Sequence, residues 1–196
     1  MVNGQCSMVN GLKSKLFGLI VALLCCACEG DYPYSRRYAC HLMLKYELHP
    51  TSLAFAAVKS PGMYVSITTK GDGRTTVRHV YVTSNETGTT TEDIIIRSDD
   101  ENYRTFQLGR SNETGLIVGC TNFNGPVAYD RSCPNCESLQ PLTFTGNRQQ
   151  VACSACKRTY MLDTGAIISG DDGQPLLLYS CQFNGTWLIV TNGVKP

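Results

Sequence analysis

Four cysteines carry the strongest chemical signal in this chain. Cys133-Pro134-Asn135-Cys136 and Cys153-Ser154-Ala155-Cys156 face each other across sixteen intervening residues. A tight Cys-x-x-Cys turn aims two sulfurs at one point, and a second such turn completes a tetrahedron, which is the pattern of a structural zinc site. Pro134 stiffens the first turn. Four soft ligands suit zinc or iron. The competing chemistry is oxidation, since an exported chain meets an oxidising compartment. Disulfides then close within each turn, Cys133–Cys136 and Cys153–Cys156, or across the two turns. The third state is four reduced thiols holding nothing.

The remaining candidates are weaker. Cys40, Cys120 and Cys181 each interrupt an apolar stretch, "YACHLML", "LIVGCTNF" and "LLLYSCQF", where a cysteine serves as a small core hydrophobe. The sharper alternative is a disulfide between Cys120 and Cys181, which each precede a Phe-Asn-Gly turn. His41, His49 and His79 are scattered, with no partner at ligand spacing, and no histidine follows His79. Asp99-Asp100-Glu101 and Asp171-Asp172-Gly173 read as charged loop and turn. No phosphate-binding glycine loop or nucleophile elbow is present, and no nucleophile–base pair is readable, so the chain is not expected to be an enzyme. Asn85, Asn112 and Asn184 each open an Asn-x-Thr triplet and read as turn residues.

These groups need elements to hold them. Short alternating segments follow one another every eight to twelve residues, which predicts an all-β sandwich or barrel. Strands are expected at 38–46, 63–70, 75–83, 92–98, 104–109 and 114–123, then at 126–130, 142–145, 149–153, 158–163, 166–169, 176–183 and 186–192. The only helical candidate is 49–62, capped by Thr51 or Ser52, filled with alanines and ended by Pro61-Gly62. Phe123-Asn124-Gly125 and Phe183-Asn184-Gly185 carry the Asn-Gly pair of a tight hairpin with positive φ at both central residues. "SNETG" at 84–88 and 111–115 reads as two similar turns, not a duplication.

With 196 residues, 42% of them hydrophobic, the chain can bury one sizeable core. A net charge of +1 and a pI near 7.5 leave no basic stripe, so nucleic acid is not an expected partner. At the N-terminus Lys13 and Lys15 precede an apolar run from Leu16 to about Leu24, too short for a permanent span and shaped like a secretory core. It ends at Cys25-Cys26-Ala27-Cys28 before Glu29-Gly30-Asp31. This resembles a bacterial lipoprotein signal, in which a cysteine after a small residue is lipidated. Cys28 is the expected site and Cys26 the runner-up. "MVNG" recurs at 1–4 and 8–11, so Met8 is an alternative start. The resulting plan is a signal peptide at 1–27, a lipid-anchored tether at 28–37 and one β domain at 38–196. The anchor implies a lipid bilayer as partner and a place at the cell envelope, facing periplasm or cell surface. No protein partner is readable.

The residues around the second cysteine turn narrow the reading. Tyr160 stands four places past Cys156, followed by Asp163-Thr164-Gly165, Ile167-Ile168-Ser169-Gly170 and Pro175. This resembles the C-terminal half of a Rieske iron–sulfur domain over roughly 104–192. Cys153 falls at that family's cysteine, Cys156 at its histidine, Tyr160 at its aromatic and Gly165 at its glycine. Cys133 matches the upstream cysteine, while Asn135 occupies the first histidine slot and Cys136 lies one place further on. The resemblance implies a Rieske-like fold whose cysteine lobe is similar to a zinc ribbon or rubredoxin knuckle. It also implies departure from Rieske chemistry, because two histidines on one iron are required there and are absent here. Zinc is the expected occupant, with one rubredoxin-like iron or an all-cysteine [2Fe–2S] cluster as alternatives. Function is expected to be structural or binding; electron transfer and a metal-free, disulfide-bearing interaction module are the other classes.

Overall fold

The computed structural model describes residues 33–70, 78–85, 91–96 and 106–193. Cys28, the signal segment and the Asp99–Glu101 run lie outside the described residues. Among the described residues thirteen strands form two antiparallel sheets, and each falls on an expected segment with its ends shifted by up to three residues. The first six are β1 (Cys40–Lys45), β2 (Tyr64–Lys70), β3 (Arg78–Ser84), β4 (Thr91–Ile96), β5 (Gln107–Leu108) and β6 (Leu116–Thr121). Next come β7 (Gly125–Asp130), β8 (Leu142–Phe144), β9 (Gln150–Cys153) and β10 (Thr159–Met161). The last are β11 (Ile167–Ser169), β12 (Leu178–Phe183) and β13 (Trp187–Thr191). Nine strands run in the order β4-β3-β2-β6-β7-β12-β13-β1-β5, and four form a meander, β11-β10-β9-β8. The small sheet is an insertion: β7 and β12 pair directly, Leu178 opposite Tyr129.

The helix α1 (Leu53–Lys59) forms where its cap and composition put it. Ser52 Oγ accepts from the Ala54 N–H at 3.2 Å, and Glu92 reaches over from β4 to accept from the Leu53 N–H at 2.9 Å. Two orphan donors of the first turn are thus satisfied. Ala54, Phe55, Ala57 and Val58 enter the main core.

Two cores divide the apolar residues, and they share strands. The larger gathers Leu42, Leu44, Val65, Ile67, Val118, Ala128, Leu188 and Val190 with the helix. The smaller packs Tyr64, Ile117, Val127 and Tyr129 against Cys133, Leu142, Val151, Cys153 and Tyr160. Alternate residues of β2, β6 and β7 therefore face opposite cores, and all six residues of β6 are buried. A continuous apolar run such as Leu116-Ile117-Val118 is what a strand covered on both faces requires. Gly119 leaves room for the Tyr64 ring, which a Cβ there would strike.

The structure favours one of the two readings of Cys120 and Cys181 and revises two expectations. Cys120 and Cys181 are free thiols, not a disulfide. Strand β7 lies between β6 and β12, a separation of about 9–10 Å, beyond the roughly 7 Å that a disulfide spans between Cα atoms. Both Asn-Gly hairpins form, but only their glycines adopt positive φ, Gly125 at 76° and Gly185 at 89°. Asn184 takes other work: its Oδ1 accepts from the N–H groups of Thr186 and Trp187 at 3.0 and 2.8 Å. Finally, contacts with the sheet begin inside the stretch expected as tether. Ser35 N–H donates to Leu178 O at 2.7 Å, and Asn192 Nδ2 donates to Ser35 O and Tyr38 O at 2.8 and 2.6 Å.

Asn85 is buried, accepting from the Tyr64 N–H at 3.1 Å and donating to Arg148 O at 2.6 Å, so its side chain is held in structural contacts. Among the described residues no helix is long and apolar enough to cross a membrane.

Asp163 ties the small sheet to the large one. It accepts from Tyr64 Oη at 2.8 Å, from the Asn122 N–H at 3.1 Å and from Asn122 Nδ2 at 2.6 Å. Burial pushes this carboxyl up, but the three donors outweigh it and hold it below the usual range. A depressed folded-state pKa contributes stability above the unfolded value, near 3.9, and loses it as pH falls. Urea titrations from pH 6 down to pH 2 should therefore show Asp163→Asn losing less stability on acidification than the parent. Parallel curves would show that the carboxylate does not couple to folding.

Candidate metal centre

Each cysteine turn is built by local hydrogen bonding. The first sits on the loop after β7, which closes where Ser132 bridges Pro141 and the Cys133 N–H donates to Gln140 O at 2.8 Å. The second is the β9–β10 hairpin, in which the Lys157 N–H reaches back to Cys153 O at 3.0 Å and the Cys153 N–H donates to Arg158 O at 2.9 Å. Closing that hairpin puts Lys157 at φ 60°, the one non-glycine residue with positive φ among the described residues. An L-residue there carries a strain of about 1 kcal/mol. Lys157→Gly is accordingly expected to raise stability by about 0.5–1 kcal/mol, and Lys157→Val to lower it by at least as much, read from denaturant midpoints. Equal midpoints would show that the turn relaxes without cost.

All four sulfurs converge. The Sγ atoms of Cys133, Cys136, Cys153 and Cys156 lie within 4.8 Å of one another. Two approaches cross between turns, Cys133 to Cys156 at 3.6 Å and Cys136 to Cys153 at 3.7 Å. A tetrahedron of thiolates at the zinc–sulfur distance of 2.3 Å has edges of about 3.8 Å, whereas a disulfide needs about 2.05 Å. The four are free thiols arranged at metal-ligand spacing. Cys133 and Cys153 are buried at 0% and 1% exposure, while Cys136 and Cys156 are half-buried.

The electrostatics ask for a cation. Burial, followed by the neighbouring thiols Cys153, Cys133 and Cys156, pushes Cys136 up to about 12. Burial also raises Cys133, against hydrogen bonds from Tyr160 and the Asn135 N–H. For Cys156 burial acts upwards too, but the N–H and guanidinium of Arg158 outweigh it and draw the thiol down to about 6. Four thiolates this close repel one another unless a positive ion sits among them.

Residues around the cluster hold it in place. Tyr160 is fully buried, and its hydroxyl lies 3.5 Å from Cys133 Sγ and accepts from Asn135 Nδ2 at 2.9 Å. Asn135 also clasps Gln174, donating to its carbonyl and accepting from its N–H, both at 2.8 Å. Arg158 donates to Asp171 O and Asp172 O at 2.9 and 3.0 Å. The 171–174 loop is thereby strapped to both turns. His41, His49 and His79 stay out of the cluster, and His79 pairs with Asp93 at 3.0 Å instead.

Sequence reasoning missed a second brace. Arg110 donates from its guanidinium to Cys133 O at 3.3 Å, to Cys136 O at 2.9 Å and to Glu137 O. Its own N–H donates to Asp130 at 2.7 Å. Asp130 is fully buried and also accepts from the Ser132 N–H at 2.8 Å and Tyr179 Oη at 3.0 Å. Gly109 is required here, because a Cβ on it would collide with the Asp130 carboxylate. One signal was available: an acid closing an apolar strand, three residues before Cys133.

No protein-family model, curated protein or solved structure matches the chain.

Proposed function

We propose that the four cysteines hold one structural metal ion, zinc, in a Rieske-like lobe of an envelope lipoprotein. The observation that carries the metal reading is the mutual 4.8 Å limit on all four sulfurs. Four protein ligands around one point complete a tetrahedron and leave no open position for water or substrate, which a catalytic zinc would need. The same closeness disfavours an all-cysteine [2Fe–2S] cluster, whose thiolates divide between two irons. A single rubredoxin-like iron fits the same tetrahedron and is the electron-transfer alternative.

The Rieske-like part of the proposal draws support from the inserted small sheet that carries both cysteine turns, and from the 171–174 strap before Pro175. Asn135, in the histidine slot of the resemblance, is spent on Tyr160 and Gln174. The lipoprotein part rests on the N-terminal sequence, with Cys28 as the lipidated residue and a bilayer as partner. Loss of metabolic palmitate labelling in Cys28→Ala is the expected result, and labelling that persists would sink it.

Metal analysis of protein purified without oxygen tests the centre directly. About one zinc per chain and a colourless solution are expected. A red or brown protein would replace zinc by iron, and metal-free protein with thiols open to alkylation would remove the metal altogether.

A further inference from the structure

The cluster is unevenly covered. Cys133 and Cys153 are sealed in the smaller core, whereas Cys136 and Cys156 are half-exposed. Two sulfur pairs, at 3.6 and 3.7 Å, each join one reachable sulfur to one sealed sulfur across the two turns. A small oxidant from solvent thus meets Cys136 or Cys156 first, with a sealed partner already in contact behind it. We infer that the centre is a peroxide-sensitive switch, in which oxidation to a disulfide across the two turns expels the metal and loosens the small sheet. The inference rests on the metal reading above.

The chemistry balances without another reagent. The exposed thiolate attacks one oxygen of hydrogen peroxide, the O–O bond breaks and hydroxide leaves, giving a sulfenic acid. The sealed thiolate then attacks that sulfur and displaces a second hydroxide. Two thiolates lose one electron each, one peroxide becomes two hydroxides, and the metal is left with two of its four ligands. The consequence is local because the cores are separate. Cys133 and Cys153 belong to the core that covers β9 and β10, while the large core of Leu42, Val65 and Val190 includes none of the four ligands.

The full chain, purified without oxygen and loaded with zinc, is assayed for metal and then treated with stoichiometric hydrogen peroxide. Zinc release is read with a chromogenic chelator, and disulfides are mapped by mass spectrometry without reduction. Release of about one zinc per chain is expected, with one disulfide joining a cysteine of each turn. Amides of 150–161 should lose exchange protection while those of 116–121 keep it, and dithiothreitol with zinc should restore both. Zinc retained with four reduced thiols after excess peroxide would overturn the switch and leave the metal reading standing. A disulfide confined to one turn would also overturn it. Chain that never takes up zinc fails the metal reading, and the switch fails with it.

Discussion

A Cys153→Ser chain is expected to carry no stoichiometric metal and to lose more than about 4 kcal/mol, the range reached when a structural metal is lost. The sulfur removed belongs to a residue 1% exposed and is one of four within 4.8 Å of each other. Three ligands would leave an open position and a weaker site, and the remaining thiols would face one another with no cation between them. The damage should be graded by location. Strands β8 to β11 pack on the smaller core with Cys133 and Cys153 inside it, so their amides should exchange first. Strands β1, β12 and β13, which line the larger core through Leu42, Tyr179 and Val190, should hold. Hydrogen exchange with elemental analysis checks both halves. An unchanged thermal midpoint would mean that the cysteines do no structural work, the behaviour of a fold that keeps the residues and not the ion.

The second large effect belongs to Asp130→Ala, which should cost at least about 3 kcal/mol. Removing this buried carboxylate strands three donors: the N–H groups of Arg110 and Ser132 and the hydroxyl of Tyr179. A buried donor left without an acceptor costs about 1–3 kcal/mol. Tyr179→Phe is the control, since it removes one donor and leaves the carboxylate with two; its cost should be about 1.5–3 kcal/mol, the worth of a hydrogen bond to a charged group. Arg110 and Ser132 both lead into the first cysteine turn, so Asp130→Ala should also weaken metal retention against a chelator. Denaturant midpoints that rank Tyr179→Phe as the costlier change would refute this account.

The sequence was most legible where one local signal decides. Strand positions followed from alternation, and the helix followed from Ser52, the alanines and Pro61-Gly62. The clustering of the four cysteines followed from spacing, because a Cys-x-x-Cys turn is a local device. Less legible was everything that depends on two distant segments meeting. A Cys120–Cys181 disulfide stood as the alternative to core cysteines because the two occupy equivalent places before similar turns, but the strand order puts β7 between them. The asparagines of the hairpins looked like positive-φ residues, yet Asn184 turns its side chain to backbone donors and the Asn124 N–H donates to Thr121 Oγ1. Arg110 and Asp130 could not be recognised as braces, since their partners come from β5–β6, β7 and β12 at once. Leu116-Ile117-Val118 announced burial without saying by what; the answer is two different cores, one on each face.

The pairing of β7 with β12 has a consequence for what this chain can become. The polypeptide leaves the large sheet at Asp130 and returns beside its point of departure, where the Asp130 N–H donates to Leu177 O at 2.9 Å and Leu178 faces Tyr129. Everything in 131–177 is a closed excursion from a doorway one strand wide. Another segment whose ends meet at strand spacing could be grafted there without shifting one rung of the nine-stranded ladder, provided that it roofs Tyr64, Ile117, Val127 and Tyr129. The chemistry and the scaffold are therefore separable along the chain, which leaves and returns at a single address, though Asp163 and Arg110 also tie them in space.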